Sequence, residues 1–320
     1  MTQRLLITGA SSGIGRALAI AYAKDGASLY LLGRDQKRLD AAAEACRATG
    51  GSAEIHVADV RDREAMRAAV EKAHAARPST SSSPTPASPP ASRQGQLLEP
   101  EESVRAIFSI NLFGQLNTIE PAIPSLAARG SGVVALVGSM MGLRAMHFSP
   151  TYCASKAALH SYATALRAKL APHGVDMSLI VPGFVDTPMS ARTTSWKASM
   201  ITDAEAAEIV YRGLEKRRPI IAFPRYMYWA LRIIELLPPR LVDFFVLRFS
   251  ADVPQTIERE PREFPRCSDM GRGGLLGRGH YAARDLRRGH GYPAAHRRKA
   301  RATARPAARL HRAAGKADRR

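Results

Sequence analysis

The sequence predicts an α/β fold, a doubly wound Rossmann-type parallel sheet flanked by helices in a single domain, and three observations predict it. Short apolar runs alternate with Ala-rich stretches of helical period over the first 225 residues. Most of those runs are continuously apolar, as strands covered on both faces require. A glycine-rich turn, Thr8-Gly9-Ala10-Ser11-Ser12-Gly13-Ile14-Gly15, separates the first run from the first helical stretch. Crossovers in such a chain are right-handed.

In order, Leu5 to Ile7 is the first strand, and a helix from about Ile14 to Asp25 stops at Gly26. Ser28 to Leu32 is the second strand; a helix from Gln36 to Thr49 stops at Gly50-Gly51. Ala53 to Val57 and a helix from Arg63 to Ala76 follow. Beyond an irregular stretch come a helix from Glu101 to Leu126, the strand Gly132 to Val137, a helix from Ser149 to Leu170 and the strand Val175 to Pro182. Thr202-Asp-Ala-Glu205 has the pattern of a capping box, opening a helix to Lys216, and Pro219 to Phe223 is the last strand.

Composition bounds the rest. The chain has 320 residues, 45% of them hydrophobic, which is enough for a large core. Its formal charge of +19 is concentrated at one end: residues 261–320 hold 17 basic and 4 acidic side chains. The three Cys, 46, 153 and 267, form neither a disulfide framework nor a metal cluster, so no metal site is expected and a reducing compartment is. The first apolar run meets glycine too soon for a signal peptide, and the apolar stretch from Tyr226 to Phe249 is broken by charges and by Pro238-Pro239, too often to span a bilayer. A cytoplasmic protein is expected.

The turn from Gly9 to Gly15 has a physical use. Gly9, Gly13 and Gly15 let the backbone approach a diphosphate, while Ser11, Ser12 and Ile14 lead into a helix that presents free N–H groups and a positive dipole end. At the end of the second strand an acid would bind a ribose 2′-hydroxyl and repel a 2′-phosphate. This chain has Leu31-Leu32-Gly33-Arg34 there, and a guanidinium suits phosphate. The expected cofactor is therefore NADP(H) rather than NAD(H), with Arg34 its phosphate ligand, although Asp35 stands next to it. Asp59-Val60, past the third strand, is placed to meet an adenine edge, or Asp59 simply caps a helix.

Tyr152 and Lys156 are four apart on a helix and share a face. A cation beside a phenol stabilises the phenolate and lowers a pKa that is otherwise about 10. Ser139 follows the strand 133–137, at the carboxyl end where such sheets deliver functional groups.

Together these residues resemble the short-chain dehydrogenase/reductase family. The motifs are Thr8-Gly9-x-x-x-Gly13-Ile14-Gly15, Asn111 in Ile110-Asn-Leu-Phe-Gly114, Ser139, Tyr152-x-x-x-Lys156, and Pro182-Gly183 with Thr187. The likeness covers about residues 3 to 225. It implies an oxidoreductase of carbonyl or secondary alcohol groups in which Tyr152 is the general acid/base. It further implies that Lys156 holds the nicotinamide ribose and lowers the Tyr152 pKa, that Ser139 hydrogen-bonds the substrate oxygen, and that Asn111 anchors a water near Lys156. Pro182, Gly183, Val185 and Thr187 would border the nicotinamide amide. Residues 184–201, Met140-Met141 and His147-Phe148 would line a pocket for a small, apolar carbonyl or alcohol, and a homo-oligomer is implied.

Residues 78–96 depart from the family, which has an apolar strand ending in Asn-Ala-Gly. Five prolines between 78 and 90 each remove a ladder donor, so no central strand is expected here. The genetic code suggests a cause. With suitable codons for residues 79–88, reading from the third base gives Asp-Leu-Val-Ile-Ala-Asn-Ala-Gly-Ile, which is the missing strand and its motif. A local frameshift explains the segment better than an inserted Ser/Pro linker.

Residues 226–250 fit two short amphipathic helices, which would pack on the domain, meet a partner or lie on a membrane surface. The tail 261–320 lacks Val, Ile and Trp and is expected to stay disordered. It also has no heptads, zinc spacing or regular aromatic interleaving, so nucleic acid is a poor candidate partner and a second frameshift the better account. The alternatives to an enzyme are a nucleotide-binding protein impaired by residues 78–96 and a polyanion-binding protein acting through its tail.

Overall fold

In a computed structural model of the chain, residues 3–75, 80–83, 97–187, 190 and 199–246 are described. The basic tail and most of residues 78–96 lie outside them.

The first half alternates β1 (Arg4–Thr8), α1 (Gly13–Lys24), β2 (Ser28–Gly33), α2 (Gln36–Ala48), β3 (Ser52–Val57), α3 (Arg63–Ala75) and β4 (Thr80–Ser83). The second contains α4 (Glu101–Phe108), α5 (Gly114–Ile119), α6 (Ile123–Arg129), β5 (Gly132–Val137), α7 (Pro150–Leu170) and β6 (Val175–Pro182). The last described elements are β7 (Val185–Asp186), β8 (Ile201–Thr202), α8 (Asp203–Glu215), β9 (Ile220–Phe223), α9 (Arg225–Ile234) and α10 (Pro239–Val246). Seven parallel strands form one sheet in the order β3-β2-β1-β4-β5-β6-β9, and β7 pairs β8 apart from it.

Alternation along each strand builds two cores. Leu5 and Ile7, Leu29 and Leu31, and Val133, Ala135 and Val137 face one side, under Leu18 and Tyr22 of α1, Leu39 and Cys46 of α2 and Val210 and Leu214 of α8. Leu6, Leu32, Val134, Leu136 and Leu179 face the other, under Met66 and Val70 of α3, Ile119 of α5 and Leu159 and Ala163 of α7. Period two in the strands and period 3.6 in the helices thus make three layers. β3, at the sheet edge, is only partly covered. Thr202 and Glu205 form the expected capping box at the start of α8.

Two expectations fail. A strand does form in the irregular segment: Thr80–Ser83 lies at the centre of the sheet, with Leu5 to Ile7 on one side and Val133 to Leu136 on the other. The reason is local, because the prolines stand at 78, 84, 86, 89 and 90 and leave 79–83 with every backbone donor. The other failure is the single helix expected over 101–126. It is three helices, interrupted by a π-helical turn at Ser109–Phe113 and by a break before α6.

Candidate active site

The chain order reverses between β1 and β4, which opens a crevice at the carboxyl ends of the strands. On the β1 side Gly9 and Gly13 have φ of +64° and +50°, values that L side chains rarely adopt. They bend the chain into α1, whose first turn carries no acid and whose N-cap, Ser12, makes no side-chain capping bond. The N–H groups of Gly13, Ile14 and Gly15, in the first turn, thus have no acceptor within the helix and none from the Ser12 side chain. Thr187 closes this turn from across the sheet: a Cβ on Gly13 would stand 3.1 Å from Thr187 Cγ2. Gly183 is tied to Phe223, donating its N–H to the carbonyl at 2.7 Å.

Arg34 is exposed just past β2. Asp59 accepts the Arg61 N–H at 2.9 Å and its Nε at 3.0 Å. Although burial alone would raise it, the Arg61 hydrogen bonds and charge, with Arg34 beyond, hold the Asp59 carboxyl below the usual range. Asp59 does not cap α3; Asp62 does, accepting the Ala65 N–H at 3.0 Å. Val60 rests against α5, where Asn117 Nδ2 donates to its carbonyl at 2.9 Å and Gly114 leaves the room.

Ser139, Tyr152, Lys156 and Asn111 come together in the second half. Ser139 stands near enough to the Tyr152 hydroxyl to favour its phenolate, and its Oγ accepts the Met141 N–H at 3.2 Å. Lys156 Nζ lies 5.7 Å from the Tyr152 ring centroid and donates to the Val137 carbonyl at 2.9 Å. Asn111, in the π-helical turn, donates to Ser155 Oγ at 3.2 Å, and its Oδ1 is buried without a hydrogen-bond partner. The expected lowering of the Tyr152 pKa does not occur. Burial pushes the phenol up to about 12, against the lowering effect of Ser139, and pushes Lys156 down to about 7.

Three supporting residues escaped the sequence reading. His160, one turn beyond Lys156, accepts the Ser139 N–H on Nε2 at 3.3 Å. Its ring fills space that only glycine leaves, since a Cβ on Gly138 would stand 2.3 Å from Nε2. Buried Gln115 grips the end of β5, donating to the Val137 carbonyl at 3.0 Å and accepting the Val137 N–H at 2.8 Å. Glu99 holds the first turn of α7, accepting the Thr151 N–H at 2.9 Å and the Thr151 hydroxyl. The i, i+4 spacings of Asn111 with Gln115 and of Lys156 with His160 were the available signal.

A cavity of about 660 Å³ is lined by Met141, Arg144, Met146, His147, Cys153 and Ala157, among others, and by none of Ser139, Tyr152 and Lys156. It lies beside the tyrosine helix rather than at the cluster. Of the expected pocket loop, residues 188, 189 and 191–198 lie outside the described residues.

Residues 3–198 match the family model for short chain dehydrogenase. An uncharacterized oxidoreductase of Myxococcus xanthus is 29% identical over 238 residues, 74% of this chain and 94% of that protein. Among solved structures, a short-chain dehydrogenase from Sphingobium yanoikuyae in complex with NADPH superposes with a TM-score of 0.64 at 22% identity, covering 74% of this chain and 97% of that one. A 3-oxoacyl-[acyl-carrier protein] reductase from Brucella melitensis with bound NAD gives 0.60 at 24%, covering 69% and 89%. With its sheet order, its glycine turn and this match over more than half its length, the chain belongs to the short-chain dehydrogenase family of oxidoreductases.

Proposed function

We propose that the chain interconverts a carbonyl and a secondary alcohol with a nicotinamide cofactor, NADP(H) in preference to NAD(H), and that Tyr152 is its general acid/base. The observation that carries this reading is the buried meeting of Ser139, Tyr152 and Lys156 at the carboxyl edge of the sheet, across the crevice from the uncapped start of α1.

The residues present fit such a cofactor. Gly9 to Gly15 would hold the diphosphate, because the N–H groups of the first turn of α1 have no acceptor within the helix and Ser12 does not cap them. Arg34 would take the 2′-phosphate, Asp59 and Val60 the adenine edge, and Pro182, Gly183, Val185 and Thr187 the nicotinamide amide. One neighbour holds NADPH and another NAD, so the preference rests on Arg34. Bound there, the nicotinamide supplies or accepts the hydride.

The chain's own residues handle the proton. Ser139 Oγ orients the substrate oxygen, and the Tyr152 hydroxyl gives that oxygen a proton when a carbonyl is reduced, or takes one back in the reverse direction. Lys156 supports the phenolate that remains. A phenol held at about 12 stays protonated near neutrality, so the free chain presents the acid form of Tyr152. Asn111 keeps the Lys156 helix in register through Ser155.

The test is Tyr152→Phe assayed on a panel of ketones with NADPH. Turnover falls by about 10²- to 10⁴-fold, while NADPH binding, followed by fluorescence, is unchanged. Undiminished turnover overturns the assignment. A second reading, nucleotide binding with impaired turnover, has one observation in its favour: Pro84-Thr85-Pro86 follows β4 where the family has Asn-Ala-Gly.

A further inference from the structure

α9 is apolar on two opposite faces. Tyr228 is buried and Met227 and Leu231 pack with it on the core, while Tyr226, Trp229 and Ile233, on the opposite side, are about 60% exposed. Leu236, Leu237 and Leu241 continue the exposed stripe toward and into α10 at 84%, 43% and 47%. Single exposed hydrophobes need no explanation, but a contiguous run with two aromatic rings does.

Charge selects the occupant. The two acids of this segment, Glu235 and Asp243, are both drawn onto Arg144, at 3.3 and 3.0 Å. The exposed Arg225 flanks the stripe at the start of α9 and Arg240 lies in the first turn of α10, while Arg232 turns its guanidinium onto Tyr228, 5.7 Å from the ring centroid. The basic tail is not complementary to such a surface, and a second copy would oppose arginines to arginines across a twofold axis. An anionic surface with an apolar layer beneath it meets both requirements.

We propose that α9 and the start of α10 form a peripheral docking surface for an anionic lipid bilayer. Tyr226, Trp229 and Ile233 enter the headgroup boundary, and Arg225 and Arg240 contact lipid phosphates. Rings with one polar edge suit that boundary. Because α9 follows β9, whose Phe223 carbonyl holds Gly183, the surface begins at the carboxyl edge of the sheet.

The full chain carrying W196F, which leaves Trp229 as its only tryptophan, is mixed with vesicles of phosphatidylglycerol and acyl-brominated phosphatidylcholine in equal parts. The expected result is flotation with the vesicles, a blue shift and quenching of Trp229, and no quenching with vesicles of the brominated phosphatidylcholine alone. Raised salt weakens attachment through the tail and through α9 alike, so the quenching, which reports Trp229 itself, distinguishes the two. Adding I233S and L237S, which replace exposed side chains, lowers partition by about tenfold or more, with far-ultraviolet circular dichroism unchanged. Flotation without quenching assigns binding to the tail and overturns the proposal. Absence of binding overturns it as well, as does Trp229 burial that depends on protein concentration without lipid, which would make the surface a self-association face.

Discussion

His160 Nε2 accepts the backbone N–H of Ser139 at 3.3 Å, so the residue beside the Tyr152 hydroxyl is held from behind by an imidazole two turns along the same helix. Burial, with Lys156 and Arg232 nearby, holds His160 down at about 4, which keeps it a neutral acceptor at physiological pH. His160→Leu removes the acceptor and lowers kcat by about 10- to 100-fold, with a smaller change in KM. His160→Asn, which can still accept, recovers part of the loss. Steady-state kinetics of the two variants check this, and equal losses would show that packing alone matters.

Lys156 and Tyr152 leave opposite marks on stability. Burial holds Lys156 at about 7, against 10.5 ordinarily, so between those values the unfolded chain carries a proton that the native chain lacks. The cost of burying Lys156 is therefore greatest below pH 7 and is relieved as pH rises toward 10.5. Tyr152, raised from 10.0 to about 12, has the opposite sign, and its contribution is lost between pH 10 and 12. Urea denaturation at a series of pH values shows the rise removed in Lys156→Met and the fall removed in Tyr152→Phe.

Arg34 is exposed beyond β2 and Asp35 caps α2 by accepting the Arg38 N–H at 3.1 Å. Arg34→Ala removes the charge without touching that cap. Affinity for NADPH falls by about tenfold or more, and affinity for NADH stays level. Fluorescence titration with both cofactors checks the difference.

Glu99 supplies the acceptor for Thr151 that the N-cap Ser149 side chain does not. Glu99→Ala costs about 1–3 kcal/mol of stability by leaving a helix-start N–H unpaired. Glu99→Gln, which keeps an acceptor oxygen, costs less. Thermal unfolding ranks the two.

β4 spans Thr80–Ser83, and in the shifted reading those four positions are Leu-Val-Ile-Ala, with Asn-Ala-Gly at 84 to 86. Replacing residues 79–87 by Asp-Leu-Val-Ile-Ala-Asn-Ala-Gly-Ile puts apolar side chains where the other central strands have them. Melting temperature and turnover both rise. An unchanged melting temperature would count against the frameshift account.

The layers were legible because strand and helix periods differ, and Leu5 to Ile7, Val133 to Val137 and the Tyr152 helix were read with little error. Thr80–Ser83 was not, since serine and threonine carry no apolar period and the strand there is dictated by its neighbours on both sides. At the site, Ser139, Tyr152 and Lys156 could be found from spacing and order. Their protonation could not: the Tyr152 pKa depends on how deeply the phenol is enclosed, a property of the assembled layers rather than of the motif. His160 and Glu99 were missed for a related reason, as their partners are backbone groups, which leave no trace in residue identity.

Among the described residues, β4 alone joins the β1 and β5 ladders. Those four residues are the seam between the half of the sheet that starts α1 and the half that carries Tyr152, and their backbone spacing sets the gap a dinucleotide must bridge. Slippage of the seam by one residue would misalign both halves at once while leaving each internally intact, so a defect in this one short strand is enough to uncouple two otherwise sound pieces of machinery.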